Sequence, residues 1–133
     1  MSVNPFIWHS RVRFGDTDTS GRIFYVSLLN HFDAAETEFL RSRGIAYHGI
    51  GPGTMAFPRV HVECDYLAPL VFDDLMDIAV TVDRVGRTSF TLAFDISVEG
   101  RAAARGKVVV VCIDGSTQRP MALPEDLRAA LCS

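Results

Sequence analysis

The sequence predicts an α+β fold in which one helix of about four turns faces an antiparallel sheet of five strands. Three observations carry that prediction. One long segment, residues 27–43, repeats its apolar side chains at helical spacing. One alternating segment precedes it and four follow, joined by short turns. Strands and helices therefore do not alternate along the chain, which argues against a parallel α/β sheet. The 133 residues read as one domain, 1–133. A chain of this size buries roughly 65–70% of its unfolded surface, enough for a real core.

Residues 6–14 form the first predicted strand. Trp8, Ser10, Val12 and Phe14 share one face, and His9, Arg11 and Arg13 the other. A polar turn at 15–21 follows. In the helix, Leu28, Phe32, Ala35 and Phe39 make the apolar stripe, widened by Leu29 and Leu40. Ser27 is the expected N-cap, and Gly44, after Arg41 and Arg43, marks the C-terminus. The Gly-rich stretch 45–56, with Pro52, reads as a loop.

Four strands follow. In 58–67, Val60, Val62, Cys64 and Tyr66 alternate with polar residues. In 75–84 the inward set is Met76, Ile78, Val80 and Val82. In 89–98 it is Phe90, Leu92, Phe94, Ile96 and Val98. Residues 102–113 end in VVVVCI, a run apolar enough to be covered on both faces. A short amphipathic helix at 125–131 closes the chain. Val109, Val111 and Ile113 stay outside a helix–sheet core, so a second subunit is expected to cover them.

Composition narrows the function. A net charge of −3 argues against nucleic acid or an anionic membrane as main partner. Twelve of the thirteen basic residues are Arg, the exception being Lys107. Arg suits bidentate phosphate contacts; the codon usage of a GC-rich genome is the plainer source of that bias. Cys64, Cys112 and Cys132 form no close pair, and the first two fall in strand patterns as core thiols. No basic-then-apolar leader and no run of ~20 apolar residues is visible, so a cytoplasmic location is expected.

The string DTDTSG at 16–21 places Asp16 and Asp18 just before a helix N-terminus, where unpaired N–H groups and the positive end of the helix dipole collect. It opens like a calcium loop, but the twelfth position, which must supply a bidentate carboxylate, is Ser27. An Asp-x-Asp-x-Thr string after a strand also occurs in haloacid-dehalogenase-type phosphatases, yet those need a larger α/β sheet than this chain can form. Taken alone, the two carboxylates could simply stabilise a polar turn. The four histidines show no ligand spacing with the cysteines, and no metal is expected; His31 and His61 read as surface or supporting groups.

The longer stretch RFGDTDTSGRIFYVSLLNHFDAAETEFLRSRG closely resembles the 4-hydroxybenzoyl-CoA thioesterase-like hotdog family, including the acyl-CoA thioesterases associated with the Tol–Pal system. Arg13, Asp16, Thr17, Asp18, Gly21, Ile23, Phe24, Tyr25, Ala35 and Gly44 match its pattern. So do VECDYLAPL at 62–70, the VVVVCID run and RPMALPEDLRAAL. Arg22 stands where the family usually has an apolar residue.

The resemblance implies a hotdog fold, one long central helix wrapped by the five-stranded sheet, assembled as a homodimer or homotetramer. It implies an acyl-CoA thioesterase needing no cofactor, with acyl-carrier-protein thioesters as possible substrates. It makes Asp18 catalytic, either as nucleophile on the thioester carbonyl or as general base on a water. The backbone N–H near Tyr25 would receive the oxyanion. Gly21 and Phe24 would lie against substrate, and Arg84, Arg87, Thr88 and Ser89 would hold the pantetheine or nucleotide. Arg105 and Lys107 are further phosphate candidates, while Asp16 is turn scaffold. Two other readings remain: a non-catalytic acyl-CoA-binding module, and a hotdog dehydratase, which would need a His that this turn lacks.

Overall fold

A computed structural model describes residues 5–47 and 53–133. Its main sheet has five antiparallel strands: β1 (Phe6–Arg11), β3 (Arg59–Tyr66), β4 (Leu75–Val85), β5 (Ser89–Val98) and β6 (Arg101–Val111). They lie in the order β1-β4-β5-β6-β3. A small second ladder joins β2 (Met55–Ala56) to β7 (Ile113–Asp114). Helix α1 (Ser27–Ser42) covers one face of the main sheet, and α2 (Glu125–Cys132) packs near the end of β4. This is the α+β arrangement that the sequence predicts.

Period-2 patterning works best at the sheet centre. Met76, Ile78, Val80 and Val82 of β4 and all five inward residues of β5 are buried. Helix α1 seats on them through Phe32, whose ring stacks on Phe94 at 4.6 Å between centroids. Gly106 makes that contact possible. A Cβ there would stand 2.6 Å from the Phe32 ring and 2.7 Å from the carbonyl oxygen of Glu63.

Several expectations are corrected. The first strand ends at Arg11, and Phe14 opens a short 3-10 turn (Phe14–Asp16). Phe14 is 80% exposed, edge-on to Phe72, which is 54% exposed. Leu29 is exposed rather than part of the buried stripe. The N-cap is Val26, not Ser27, with no side-chain cap; the turn before the helix tightens instead, Ser27 N donating to Phe24 O at 2.8 Å. The helix does end as predicted, with Gly44 at φ +80° beyond Arg43. Residues 48–52 of the predicted 45–56 loop, with His48, lie outside the described residues, and Met55–Ala56 is a strand.

Edge strand β3 departs furthest from its pattern. Val60 and Val62 are exposed because β3 pairs on one side only, with β6, and a bulge near Arg59 breaks the register. The apolar run 108–113 is split: Val108, Val110 and Cys112 are buried, whereas Val109, Val111 and Ile113 are half-buried. Cys64 is half-buried and Cys132 exposed. Among the described residues, no helix is long and apolar enough to cross a membrane.

Candidate active site

The DTDTSG segment folds as a tight hairpin-like turn. Thr17 bridges Ile23. Asp18 N donates to Arg22 O at 2.8 Å, and Gly21 N donates to Asp18 O at 3.0 Å. Gly21 sits at φ +80°, a conformation that strains any L residue, so glycine is what closes the turn. The returning strand is fixed to the body by Ile23 N, which donates to Leu70 O at 2.7 Å.

Asp18 sits exposed on this turn. Its Oδ1 accepts from the Ser20 hydroxyl at 2.5 Å and from Ser20 N at 2.8 Å. Those two bonds hold its carboxyl below the ordinary carboxylate range. Among the described residues, Oδ2 takes no hydrogen bond, which leaves one carboxylate oxygen oriented yet unoccupied.

The two carboxylates have different surroundings. Asp16 is mostly buried, and its Oδ2 accepts from Arg13 N at 2.8 Å and from His31 Nε2 at 2.9 Å. Burial raises its pKa, but the Arg13 N–H and the His31 ring outweigh that and hold it below the usual value. His31, only 7% exposed, reaches from α1 and places Nδ1 2.8 Å from Ser10 Oγ. A proton on Nε2 lets the ring donate to Asp16 while Nδ1 meets the Ser10 hydroxyl. Ser10 points inward beneath the helix, so the Ser10–His31–Asp16 chain braces the turn and does not present a serine to substrate. The backbone completes the brace: Asp16 O accepts from Phe24 N at 2.6 Å. Period and spacing gave no hint that His31 would be buried there.

Phe24 and Tyr25 follow, both exposed, their rings 5.1 Å apart. Tyr25 stands one residue before the N-cap. Its carbonyl accepts from the Tyr66 hydroxyl, which draws the end of β3 against the helix N-terminus. Phe24 N and Ser27 N are engaged, whereas Tyr25 N has no acceptor among the described residues. An open depression of about 280 Å³ lies beside the turn, lined by Arg22, Ile23, Tyr66 and residues 67–70.

The other predicted residues are not here. Arg84, Arg87, Thr88 and Ser89 lie where β4 turns into β5. The Asp18 turn is tied to the opposite end of β4, since Arg11 pairs with Leu75 and Val12 N donates to Asp74 O. The length of β4 separates the two groups by about 30 Å at ~3.3 Å per residue. One protomer does not bring them around a single thioester. The junction itself is firmly held: Leu123 N donates to Arg87 O and Arg128 Nη2 to Gly86 O. Its two guanidiniums are exposed and, among the described residues, lack the ion pairs that occupy Arg11, Arg41, Arg59 and Lys107. Arg105 and Lys107 lie on the outer sheet face among Glu63, Asp65 and Asp95, and Lys107 pairs with Asp83. Those carboxylates make them poor phosphate ligands.

Comparison with known proteins agrees with this architecture. The family model described as the thioesterase-like superfamily matches residues 12–131. The YbgC acyl-CoA thioester hydrolase of Escherichia coli is 28% identical over 130 residues, covering 97% of each chain. A 1,4-dihydroxy-2-naphthoyl-CoA hydrolase from Synechococcus is 32% identical over 122 residues, covering 88% of this chain and 93% of that protein. A crystal structure of a hypothetical protein from Aquifex aeolicus superposes with a TM-score of 0.89 at 25% identity, covering 96% of this chain and 99% of that one. With its five-stranded sheet, packed helix and acidic turn, the chain belongs to the thioesterase-like superfamily, in the hotdog fold.

Proposed function

We propose that this thioester hydrolase acts on acyl-CoA, releasing a free acid and CoA, with Asp18 as its catalytic carboxylate. The observation that carries the reading is the Oδ2 of an oriented Asp18, free of hydrogen bonds among the described residues, on the turn that leads into a helix N-terminus with no side-chain cap. Oδ2 either attacks the thioester carbon, so that the C–S bond breaks, the CoA thiolate leaves and water then hydrolyses the mixed anhydride, or it takes a proton from a water that attacks the same carbon and expels the thiolate, which is then protonated. Both routes put negative charge on the carbonyl oxygen. The Tyr25 N–H and the positive helix end receive that charge, and such a donor is typically worth about 2.7–4 kcal/mol. Gly21 and Phe24 line the approach.

Arg84, Arg87, Thr88 and Ser89 serve the pantetheine and nucleotide of CoA from a second copy, because their own turn is about 30 Å away by strand length. The protein is accordingly a homo-oligomer, a homodimer or homotetramer. The outer edge of β3, which has no strand neighbour among the described residues and carries the exposed Val60, supports that reading, since an open edge invites pairing. Arg87→Ala is expected to raise KM for acyl-CoA about tenfold, the loss of one charge-assisted phosphate contact. KM for the matching acyl-pantetheine, which lacks the nucleotide, should not move. Equal KM changes for both substrates would remove Arg87 from the nucleotide site.

The depressed Asp18 pKa sets a pH test. The ionised form persists above that value and is lost as pH falls through it, so the acid limb of kcat/KM should lie below the ordinary Asp value of about 3.9. Ser20→Ala removes the hydroxyl bond and should move the limb upward. An acid limb unmoved by Ser20→Ala would show that another group sets it. The direct experiment is release of free thiol from a panel of short, long, aromatic and carrier-protein-linked thioesters.

A further inference from the structure

A groove runs along α1 beside edge strand β3, away from the acidic turn. The two elements run antiparallel. The Tyr66 hydroxyl meets the Tyr25 carbonyl at one end, and Arg59 meets Glu36 at the other. Between them lies a pocket of about 130 Å³, walled by Leu29, Phe32, Val62 and Val108, with Asp33 at its rim. Leu29, Phe32, Asp33 and Glu36 are spaced i, i+3, i+4, i+7, so one helix face lines this pocket.

The far end of this groove is polar. Glu36 lies in mid-helix, and its side chain is only 3% exposed. Arg59 Nη2 and the Tyr47 hydroxyl both donate to its Oε2. Oε1 takes no hydrogen bond from the described residues, although no buried side-chain polar atom among them is left without a partner. Glu36 lines the pocket, and Oε1 is its carboxylate oxygen left without a hydrogen bond among the described residues. Burial pushes the Glu36 carboxyl up, and Arg59 and Tyr47 pull it back only in part. A hydrocarbon end placed there would desolvate a carboxylate oxygen without replacing its hydrogen bond, which is unfavourable.

We infer that this groove holds the acyl group and that Glu36 Oε1 accepts a hydrogen bond from a hydroxyl at the acyl group's distal end. The inference rests on the thioesterase reading above and adds the substrate class. From Tyr25 to Glu36 the helix advances about 16 Å at ~1.5 Å per residue. That span suits a chain of about ten carbons with a hydrogen bond at each end. A terminal carboxylate is disfavoured, because Arg59 is already paired with Glu36 and a second carboxylate would face the first.

Thioether analogues test this without turnover. Binding of S-(ω-hydroxydecyl)-CoA, S-decyl-CoA and S-(ω-carboxynonyl)-CoA to the full-length protein is measured by titration calorimetry. The hydroxylated probe should bind about tenfold tighter than either of the others. Glu36→Leu should abolish that preference. Since Glu36 is buried, Val62→Trp provides a second variant, at the exposed rim. It should weaken the hydroxylated probe tenfold or more while thermal unfolding stays cooperative. Equal affinities for hydroxylated and plain probes, a preference for the carboxylate, or unchanged binding in Val62→Trp would overturn the inference. The outcomes separate from those of hydrolysis. Discrimination among thioethers with no thioester turned over would sink the hydrolase reading and leave the groove, and turnover without discrimination would do the reverse.

Discussion

Asp18→Asn is expected to lower thioester hydrolysis by about 10³-fold or more, with little change in melting temperature. The size follows from the geometry. Asn keeps the Oδ1 acceptor that Ser20 engages, so the turn and its Gly21 closure survive. It replaces the free Oδ2 with an amide nitrogen, which neither attacks a carbonyl nor takes a proton at neutral pH. Nucleophilic and general-base routes are therefore lost together. The side chain is exposed, so no core contact changes. Steady-state thiol release on a responsive substrate, beside a thermal melt, checks both halves. A rate within a few-fold of the parent would place the chemistry elsewhere. The nearest other carboxylate on the turn, Asp16, is a weak substitute, because His31 and Arg13 N already occupy its Oδ2.

Gly106→Ala is expected to destabilise the fold by about 1–3 kcal/mol, the range for overpacking a filled core. The new methyl would meet the Phe32 ring at 2.6 Å and the Glu63 carbonyl oxygen at 2.7 Å. Real Cβ atoms do not approach so closely, so the helix or the β3–β6 ladder must shift. Phe32 is pinned from behind by its stack on Phe94. Denaturant unfolding of Gly106→Ala, Phe32→Leu and the double variant resolves the cause. Phe32→Leu removes the clashing ring atoms, so the double should be less destabilised than the sum of the singles. Strict additivity would assign the strain to Glu63 alone. Helix α1 carries the candidate oxyanion end and one wall of the groove, so the same shift should also weaken activity.

Much of this molecule is readable before folding. Alternation fixes the inward faces of β4 and β5, because the side-chain period of a strand is two and both strands have hydrogen-bonded neighbours on each side. The end of α1 is legible in Gly44, and the DTDTSG turn in its glycine, since both need a positive φ. The tight Ser20–Asp18 contact is likewise local, spanning two residues.

What the sequence leaves open is what covers each face and which distant groups meet. Val60 and Val62 alternate as cleanly as the β4 residues, yet they are exposed because β3 is an edge. His31 and Glu36 look like ordinary polar helix positions. They are buried because Ser10 and Asp16 reach one, and Tyr47 and Arg59 the other, from segments with no periodic relation to the helix. The separation of Arg84–Ser89 from Asp18 is likewise a matter of strand direction and length. Periodicity reports the local geometry of a backbone. Burial, pairing and the assembly of a site are set by contacts distant in sequence, and those exist only once the sheet has formed.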